Sequence, residues 1–580
     1  MSFLSEIEFQ IAEALKEKGY NIDKIKLVYN ATSEFGEYQI NVAFKLAKAL
    51  GKSPLKIAEE LANIIRHFTY FSEVSVSTPG FINLKLNSGA VMNYFNNLHT
   101  DFTAHIDKQA SKTILLDYGG PNASKALHVG HMRSANIGEA IKRLCQTLGH
   151  KTIGDIHLGD NGLPTGIVLM EMEQLHPNLE FFELKDKYPK KTPFTVEDLQ
   201  TIYPNGVKKA ALDEKLMARA LELSALLQDG HPGLTLLWRD YLDLSLQEIK
   251  AVYKLLNVDF DLWETETDSF AYFDQMRQII DKSGVARISD GALVVDVTEA
   301  TDKKELPPFI IFKSDGTAMY STTDLATHTG RIERFKIDEV WYFTDKRQSL
   351  HFKQLFRTIQ KLPFDYQPVL SHTGFGTMND KDGKPFKTRD GDPLPLMDCY
   401  NLVKDYITPR LSDKIAKKNR ETIAKQITTA VIKYADLLPT CTTDYVFDLE
   451  SLADTEGKTG PYMLYTSVRI KSLLKKAKEH DIKSKQIIKL SDNGSDYDVL
   501  FNLLSLPVVL TNSYNNKSLN EICEYLYKLN ASYNKFYNEC NVLNEIDPYL
   551  QESWLMIASL VLKANELLLD ILAIEIPEEM

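Results

Sequence analysis

At 580 residues the chain exceeds what one hydrophobic core usually serves, so several domains are expected. Its 44% apolar, 25% charged and 10% aromatic residues exclude a disordered or low-complexity protein, and no repeat at solenoid spacing is present. A net charge of −12 argues against a uniformly basic nucleic-acid binder, but RNA senses only the surface within about 8–10 Å, so local clusters count for more than the total.

The opening stretch MSFLSEIEFQIAEALKEKGY spaces its apolar residues as an amphipathic helix does. Glu6, Glu8 and Glu13 interrupt the apolar run that a signal peptide needs, and no later run approaches the roughly 18 residues of a membrane span. A soluble, cytoplasmic protein is expected. Cys145, Cys399, Cys441, Cys523 and Cys540 are scattered with no CxxC pair, which reads as buried thiols in a reducing compartment.

Residues 1–107 read as a small α+β unit: the opening helix, the extended piece KIKLVYNATSEFGEYQI, helices around 41–50 and 54–68, then the strand-like EVSVSTP and GFINLKL. Residues 108–401 begin with the short apolar strand Thr113-Ile-Leu-Leu-Asp117-Tyr118, a Gly-rich turn, and a helix from about Val129 to Leu148 stopped by Gly149. A second strand at 151–157 completes a βαβ unit, the start of a parallel doubly wound sheet. A mostly helical stretch over 160–300 follows. The sheet pattern is expected to resume at 292–297, FIIFKS and Glu339-Val-Trp-Tyr-Phe343, so that an insertion separates two halves of a Rossmann fold. Residues 402–580 read as a helical domain. It carries two basic clusters, Lys414, Lys417, Lys418, Arg420 and Lys425, then Arg469, Lys471, Lys475, Lys476, Lys478, Lys483, Lys485 and Lys489, which by themselves are solvated helix faces as readily as RNA contacts.

Chemistry concentrates in the turn Gly119-Gly-Pro-Asn122-Ala-Ser-Lys125-Ala-Leu-His128-Val-Gly130-His131. Ligands of doubly wound sheets bind outside the carboxyl ends of the strands, where this turn should lie. His128 and His131 share one face of a helix start whose N–H groups favour anions, so ATP phosphates are a natural ligand. Gly130 leaves backbone open to an adenine or ribose. The spacing, with no acid between the histidines, is unlike a HExxH zinc site. A second constellation, Lys381-Asp-Gly383-Lys384-Pro-Phe-Lys387-Thr388-Arg389-Asp-Gly391, is a glycine-bracketed cationic loop suited to a pyrophosphate leaving group, or simply an exposed basic hairpin. Tyr320 and Asp324, four apart, share a face on a helical turn.

HVGH resembles the HIGH signature of class I aminoacyl-tRNA synthetases. The longer phrase LDYGGPNASKALHVGHMRSANIGEAI, followed by HLGDNG, is similar to the arginyl-tRNA synthetases in particular. GKPFKTR resembles that family's variant of the second, lysine-bearing signature. Glycines 119 and 120 stand where the family usually has serines. KYADLL, TTDYVFD, EGKTGPYMLY and ASYNKFYNECNVL resemble its helical anticodon-binding domain, and GEYQINVAFKLAKALGKSP and TPGFINLKL its added N-terminal domain.

The resemblance implies an α/β protein with a class I Rossmann catalytic domain bearing a helical insertion, a small α+β N-terminal domain and an all-α C-terminal anticodon-binding domain. It implies activation of L-arginine with ATP, transfer to the 3′-terminal adenosine of tRNA(Arg), a requirement for bound tRNA in the first step, magnesium carried by the phosphates with no protein-bound metal, and a monomer. His128 and His131 would act in catalysis with Lys125, Lys384 and Lys387, and ATP would also touch Gly130 and Arg389. Asp117, Asn122, His128, Tyr320, Asp324 and Gln348 would hold arginine, and Asn83, Tyr537 and Met580 would contact tRNA. Two other readings fit parts of the pattern: a smaller HxGH nucleotidyltransferase, which needs no long helical domain, and a non-catalytic tRNA-binding paralogue, which should have lost the histidines or the pocket acids.

Overall fold

The structure, a computed structural model, describes residues 2–30, 35–98, 106, 110–386, 393–482 and 487–580. Its N-terminal part is a four-stranded antiparallel sheet of order β1-β2-β4-β3, with β1 Val28–Tyr29, β2 Tyr38–Ile40, β3 Phe71–Ser77 and β4 Phe81–Leu86. Helices Phe3–Glu17, Val42–Leu50 and Pro54–Ile65 cover it. Ser53 caps the last of these and Pro54 occupies its first turn, where the missing N–H costs nothing.

The central sheet is fully parallel. It is formed by β5 Thr113–Tyr118, β6 Lys151–Asp155, β10 Glu339–Asp345 and β11 Val369–Phe375, in the spatial order β11-β10-β5-β6. Helix Val129–Thr147 is the crossover between β5 and β6 and is buried along most of its length. The chain order reverses between β5 and β10, and the candidate residues gather at the carboxyl ends of those two strands.

The insertion after β6 contains helices Leu163–Leu175, Val196–Leu212, Glu214–Gln228 and Pro232–Leu255, which share their own apolar core. One expectation fails here. The stretches at 292–295 and 309–312 do not rejoin the parallel sheet; β8 Ala292–Val295 is the centre of a separate three-stranded antiparallel sheet, paired with β7 Ala286–Ser289 on one side and β9 Phe309–Phe312 on the other. Both runs are apolar enough for either environment. The partner β7, half exposed and holding Arg287 and Ser289, carries no apolar run to announce it.

The C-terminal part is helical, built on Lys417–Leu437, Gly460–Glu479, Asn520–Glu539 and Pro548–Ile571. One short exception is β13 Tyr445–Val446, which pairs in parallel with β12 Met378–Asn379 from the catalytic part. All five cysteines are free and buried. No helix among the described residues is long and apolar enough to cross a membrane.

Where helix Lys417–Leu437 meets helix Val129–Thr147 the contact is charged and dry. Arg133 pairs with Asp436 at 3.1 Å, Asn136 donates to Asp436 at 2.9 Å, and Glu139 holds Lys142 and Arg143 at 2.8 and 2.7 Å. Lys433 lies inside this layer, fully buried, its Nζ without a hydrogen-bond partner among the described residues. Burial pushes its ammonium down to about 7 against the pull of Glu139. The unfolded chain keeps that proton to its ordinary value, so between about pH 7 and pH 10 the unfolded state binds more protons and stability rises with pH; the penalty is complete below about pH 7. Lys433→Met is therefore expected to raise the melting temperature at pH 7 and to flatten this rise, as followed by thermal denaturation across that range.

Candidate active site

The strand ends are held by a buried guanidinium. Asp117 of β5 and Asp155 of β6 are register partners, and Arg331, from helix Tyr320–Arg334, reaches both: its Nη2 lies 2.5 Å from Asp117 Oδ2, and its Nε donates to Asp155 at 3.1 Å. Arg331 and Asp155 are fully enclosed, whereas Asp117 keeps 14% of its side chain exposed. The substrate contact expected of Asp117 is thus shared with a resident arginine.

His128 is the N-cap of helix Val129–Thr147 and His131 its third residue, and each ring is turned back on the backbone. His128 Nδ1 accepts from Gly130 N–H at 3.1 Å, and His131 Nδ1 accepts from His128 N–H at 3.1 Å. The rings stack with centroids 3.7 Å apart. Two accepting Nδ1 atoms require the remaining proton on Nε2 in both residues. Burial lowers both imidazole pKa values, that of His131 far below the usual range, and the charge of Lys125 acts in the same direction. The pair is neutral at pH 7 and offers two Nε2–H donors. Gly130 has a reason beyond ligand access: a Cβ there would lie 2.9 Å from the His128 ring.

Asn122 Oδ1 closes its own turn by accepting from Ser124 N–H at 2.9 Å. Lys125 is exposed, with its Nζ 5.4 Å from the centre of the Tyr203 ring of the insertion.

Tyr320 and Asp324 do come together, at the start of helix Tyr320–Arg334, and a residue missed in the sequence joins them. His351 Nε2 is 2.5 Å from Asp324 Oδ2, and the His351 ring meets the Tyr320 ring edge-on at 4.7 Å. Gln348 is exposed in the turn Lys346–Gln348 just before this histidine. A second missed residue is Glu266. Burial pushes its carboxyl up to about 8, with Asp324 and Asp160 adding to the shift. Asp324 is partnered by His351 and Asp160 by Thr267, whereas the Glu266 carboxyl is half-buried beside them. His351 lies in the phrase RQSLHF, in which the resemblance points only to Gln348; Glu266 belongs to no such phrase, and only the topology brings its segment against that helix.

The cationic loop forms a hairpin after β12: Asp380 Oδ1 accepts from Lys384 N–H at 3.0 Å, and Phe386 N–H donates to the Met378 carbonyl at 3.0 Å. Lys384 is exposed; Lys387 and Arg389 lie outside the described residues. Beyond the loop, Val129 N–H donates to the Leu394 carbonyl at 3.0 Å and Leu396 N–H to the Leu127 carbonyl at 2.9 Å. The chain leaving the loop is therefore stitched to the turn that carries His128. A cleft of about 890 Å³ between Arg143, Trp263, Lys471 and Ile576 holds none of these residues.

At the periphery, Arg469 sits between the rings of Tyr465 and Tyr537, 4.7 and 5.1 Å from their centres. Met580 is half-buried on the same helical domain, and the tail before it is tied down by Lys471 to Glu578 and Asn419 to Glu579. Asn83 is placed differently from expectation. It is buried in β4, its Oδ1 accepting from Gln39 at 2.7 Å and its Nδ2 donating to Ser77 at 3.0 Å, so the amide is spent within the sheet. Gln39 and Ser77, at the two ends of this chain of hydrogen bonds, are both partly exposed.

Residues 95–449 match the family of class I tRNA synthetase catalytic domains of the arginine type. Residues 463–580 match the DALR anticodon binding domain, and residues 5–86 the arginyl tRNA synthetase N terminal domain. The chain is 38% identical to an arginine–tRNA ligase of Alkaliphilus oremlandii, over 100% of this chain and 99% of that one, and 36% identical to one of Francisella tularensis subsp. novicida with the same coverage. The fold is that of the arginyl-tRNA synthetases of Plasmodium falciparum (TM-score 0.83, 22% identity, 100% of this chain and 99% of that one) and Thermus thermophilus (TM-score 0.80, 20% identity, full coverage of both). Catalytic strands, paired histidines and a helical domain thus define a class I aminoacyl-tRNA synthetase. Within that class, the chain belongs to the arginyl-tRNA synthetase family, the arginine–tRNA ligases.

A guanidinium placed beside Glu266 would favour its carboxylate and expel its proton. The KM for arginine is expected to fall as pH rises from about 6.5 to about 8.5, and Glu266→Gln should raise KM and abolish this slope. Initial rates of arginine-dependent pyrophosphate exchange across that range check it; an unchanged slope in the variant would contradict the assignment.

Proposed function

We propose that residues 108–401 form the catalytic unit, flanked by the tRNA-contacting parts 1–107 and 402–580, and that ATP carrying Mg2+ is bound at the turn 119–131. The observation that carries this reading is the stacked pair of neutral imidazoles with both Nε2–H groups free to donate. Such donors, fixed by backbone bonds before the ligand arrives, stabilise charge as it builds on the α-phosphate. Lys125 and Lys384, with Lys387 and Arg389, neutralise the departing pyrophosphate. Magnesium rides on the phosphates and draws on no cluster of protein ligands.

Arginine lies across the strand ends. Its guanidinium is taken by Asp324 and Tyr320, with Glu266 completing the carboxylate set, because planar N–H forks match carboxylates. Asp117, Asn122, His128 and Gln348 hold the amino and carboxylate ends. The arginine carboxylate attacks the α-phosphorus of ATP, pyrophosphate leaves, and the adenylate is then attacked by the 2′-hydroxyl of the terminal adenosine of tRNA(Arg), which releases AMP. Tyr537, Arg469 and Met580 meet unpaired anticodon bases by stacking, the usual mode for single-stranded RNA. Asn83 acts through Gln39, which it holds in place at the N-terminal sheet. The enzyme is a cytoplasmic monomer.

Pyrophosphate exchange assayed with arginine, lysine or glutamate, with and without tRNA(Arg), tests the reading. Exchange is expected only with arginine plus tRNA; its absence there would overturn the assignment. Asp324→Asn leaves a poorly matched pocket and should raise the arginine KM by about a hundredfold or more, with kcat less affected.

A further inference from the structure

We infer that Asp444, on the segment that follows helix Lys417–Leu437, is a positioning residue for the first step of the reaction. It ties the base of the cationic loop to the turn at the end of β10. This inference rests on the function proposed above.

The geometry converges on one carboxylate. Asp444 Oδ1 accepts from Lys346 Nζ at 2.7 Å and from Thr377 N–H at 2.7 Å. Thr377 immediately precedes β12, from which the cationic loop springs. Lys346 begins the turn that continues through Arg347 and Gln348 to His351. The Arg347 charge contributes to keeping His128 neutral, so this turn already acts on the histidine pair.

The neighbours of Asp444 extend the same connection. Gly376 N–H donates to the Cys441 carbonyl at 3.0 Å, Tyr445 N–H to the Thr377 carbonyl at 3.0 Å, and Phe447 N–H to the Asn379 carbonyl at 2.9 Å. Lys381 within the loop pairs with Asp448 at 3.0 Å. On the other side, Arg133 of the histidine-bearing helix donates to the Thr443 carbonyl at 3.0 Å. Residues 441–448 therefore touch the loop, the site turn and the histidine helix. Gly376 shows how close the approach is: a Cβ there would lie 2.4 Å from the Thr443 carbonyl and 2.5 Å from Asp444 Oδ1.

An exposed ion pair alone contributes little to stability. Its value here is geometric. Charge stabilisation of a leaving group depends on donors placed to within a fraction of an ångström, and misplacement by about 1 Å can cost about a hundredfold in rate. Asp444 is oriented by a backbone N–H that a lysine alone would not supply. The segment bearing it lies at the end of the stretch 95–449 that matches the catalytic domain, shortly before the anticodon binding match begins at 463, so a shift of the helices that follow reaches the loop through this carboxylate.

The experiment uses the full chain with tRNA(Arg). In pyrophosphate exchange, Asp444→Ala is expected to lower kcat about tenfold, while the arginine KM changes by less than about threefold and the melting temperature stays near that of the parent. Asp444→Asn, which keeps the acceptor but loses the charge, should fall between. Gly376→Ala, which pushes the same segment away, should reproduce the kcat loss. Lys346→Met combined with Asp444→Ala should be no worse than Asp444→Ala, because both changes break one link. Parental kcat in Asp444→Ala, or multiplicative losses in the double variant, would overturn the inference. If the parent chain itself shows no arginine-dependent exchange with tRNA, it is the proposed function that fails.

Discussion

A guanidinium buried between two aspartates at the ends of adjacent strands is the interaction on which the site depends. Arg331 holds Asp117 and Asp155 together from a helix whose first turn carries Tyr320 and Asp324. The bonds at one end of that helix therefore set where the other end presents its carboxylate. Removing one partner of such a buried cluster typically costs about 3–5 kcal/mol, since the remaining charges are left without compensation. The arrangement also has a chemical logic. An enzyme that binds a guanidinium substrate already has a guanidinium of its own in the wall of the crevice, where it satisfies two of the acids.

The histidine pair follows a related principle. Each ring spends its Nδ1 on the backbone of the helix start, and in doing so settles its tautomer and aims its donor. Helix capping, usually a stability device, here becomes electrostatic preorganisation. Neutral imidazoles present N–H donors without a standing charge that would attract competing anions. Permanent cations, Lys125 and Arg347, act on this pair from the solvent-facing side.

Much of this was legible in the chain. The strand, turn and helix of 113–147 carry a strong local pattern, and the histidine phrase lies where the parallel sheet requires it. The cysteines, the helical C-terminal region and the pairing of Tyr320 with Asp324 also follow from local spacing. What was not legible depends on contacts distant in sequence. The runs at 292–295 and 309–312 have the apolar character of central strands, and nothing local says that they pair with each other, with 286–289 on the far side of 292–295, instead of with β10. Glu266 comes from a segment with no phrase of its own, and His351 sits in RQSLHF, where only the packing against Tyr320 and Asp324 reveals its part. Asn83 reads as a polar residue at a strand, and only the cross-strand partners Gln39 and Ser77 reveal that its amide is consumed.

The two glycines before Pro121 bear on how this turn can vary. A Cβ at Gly120 would lie 2.6 Å from the His157 carbonyl oxygen and 2.8 Å from that of Ile156. His157 itself sits at a φ of +27°, a backbone state that side-chain-bearing residues rarely adopt. The glycine at 120 and the conformation at 157 are thus halves of one arrangement. A side chain introduced at 120 meets a carbonyl 37 positions away in the chain, so the two backbones fit together only while the first carries no Cβ.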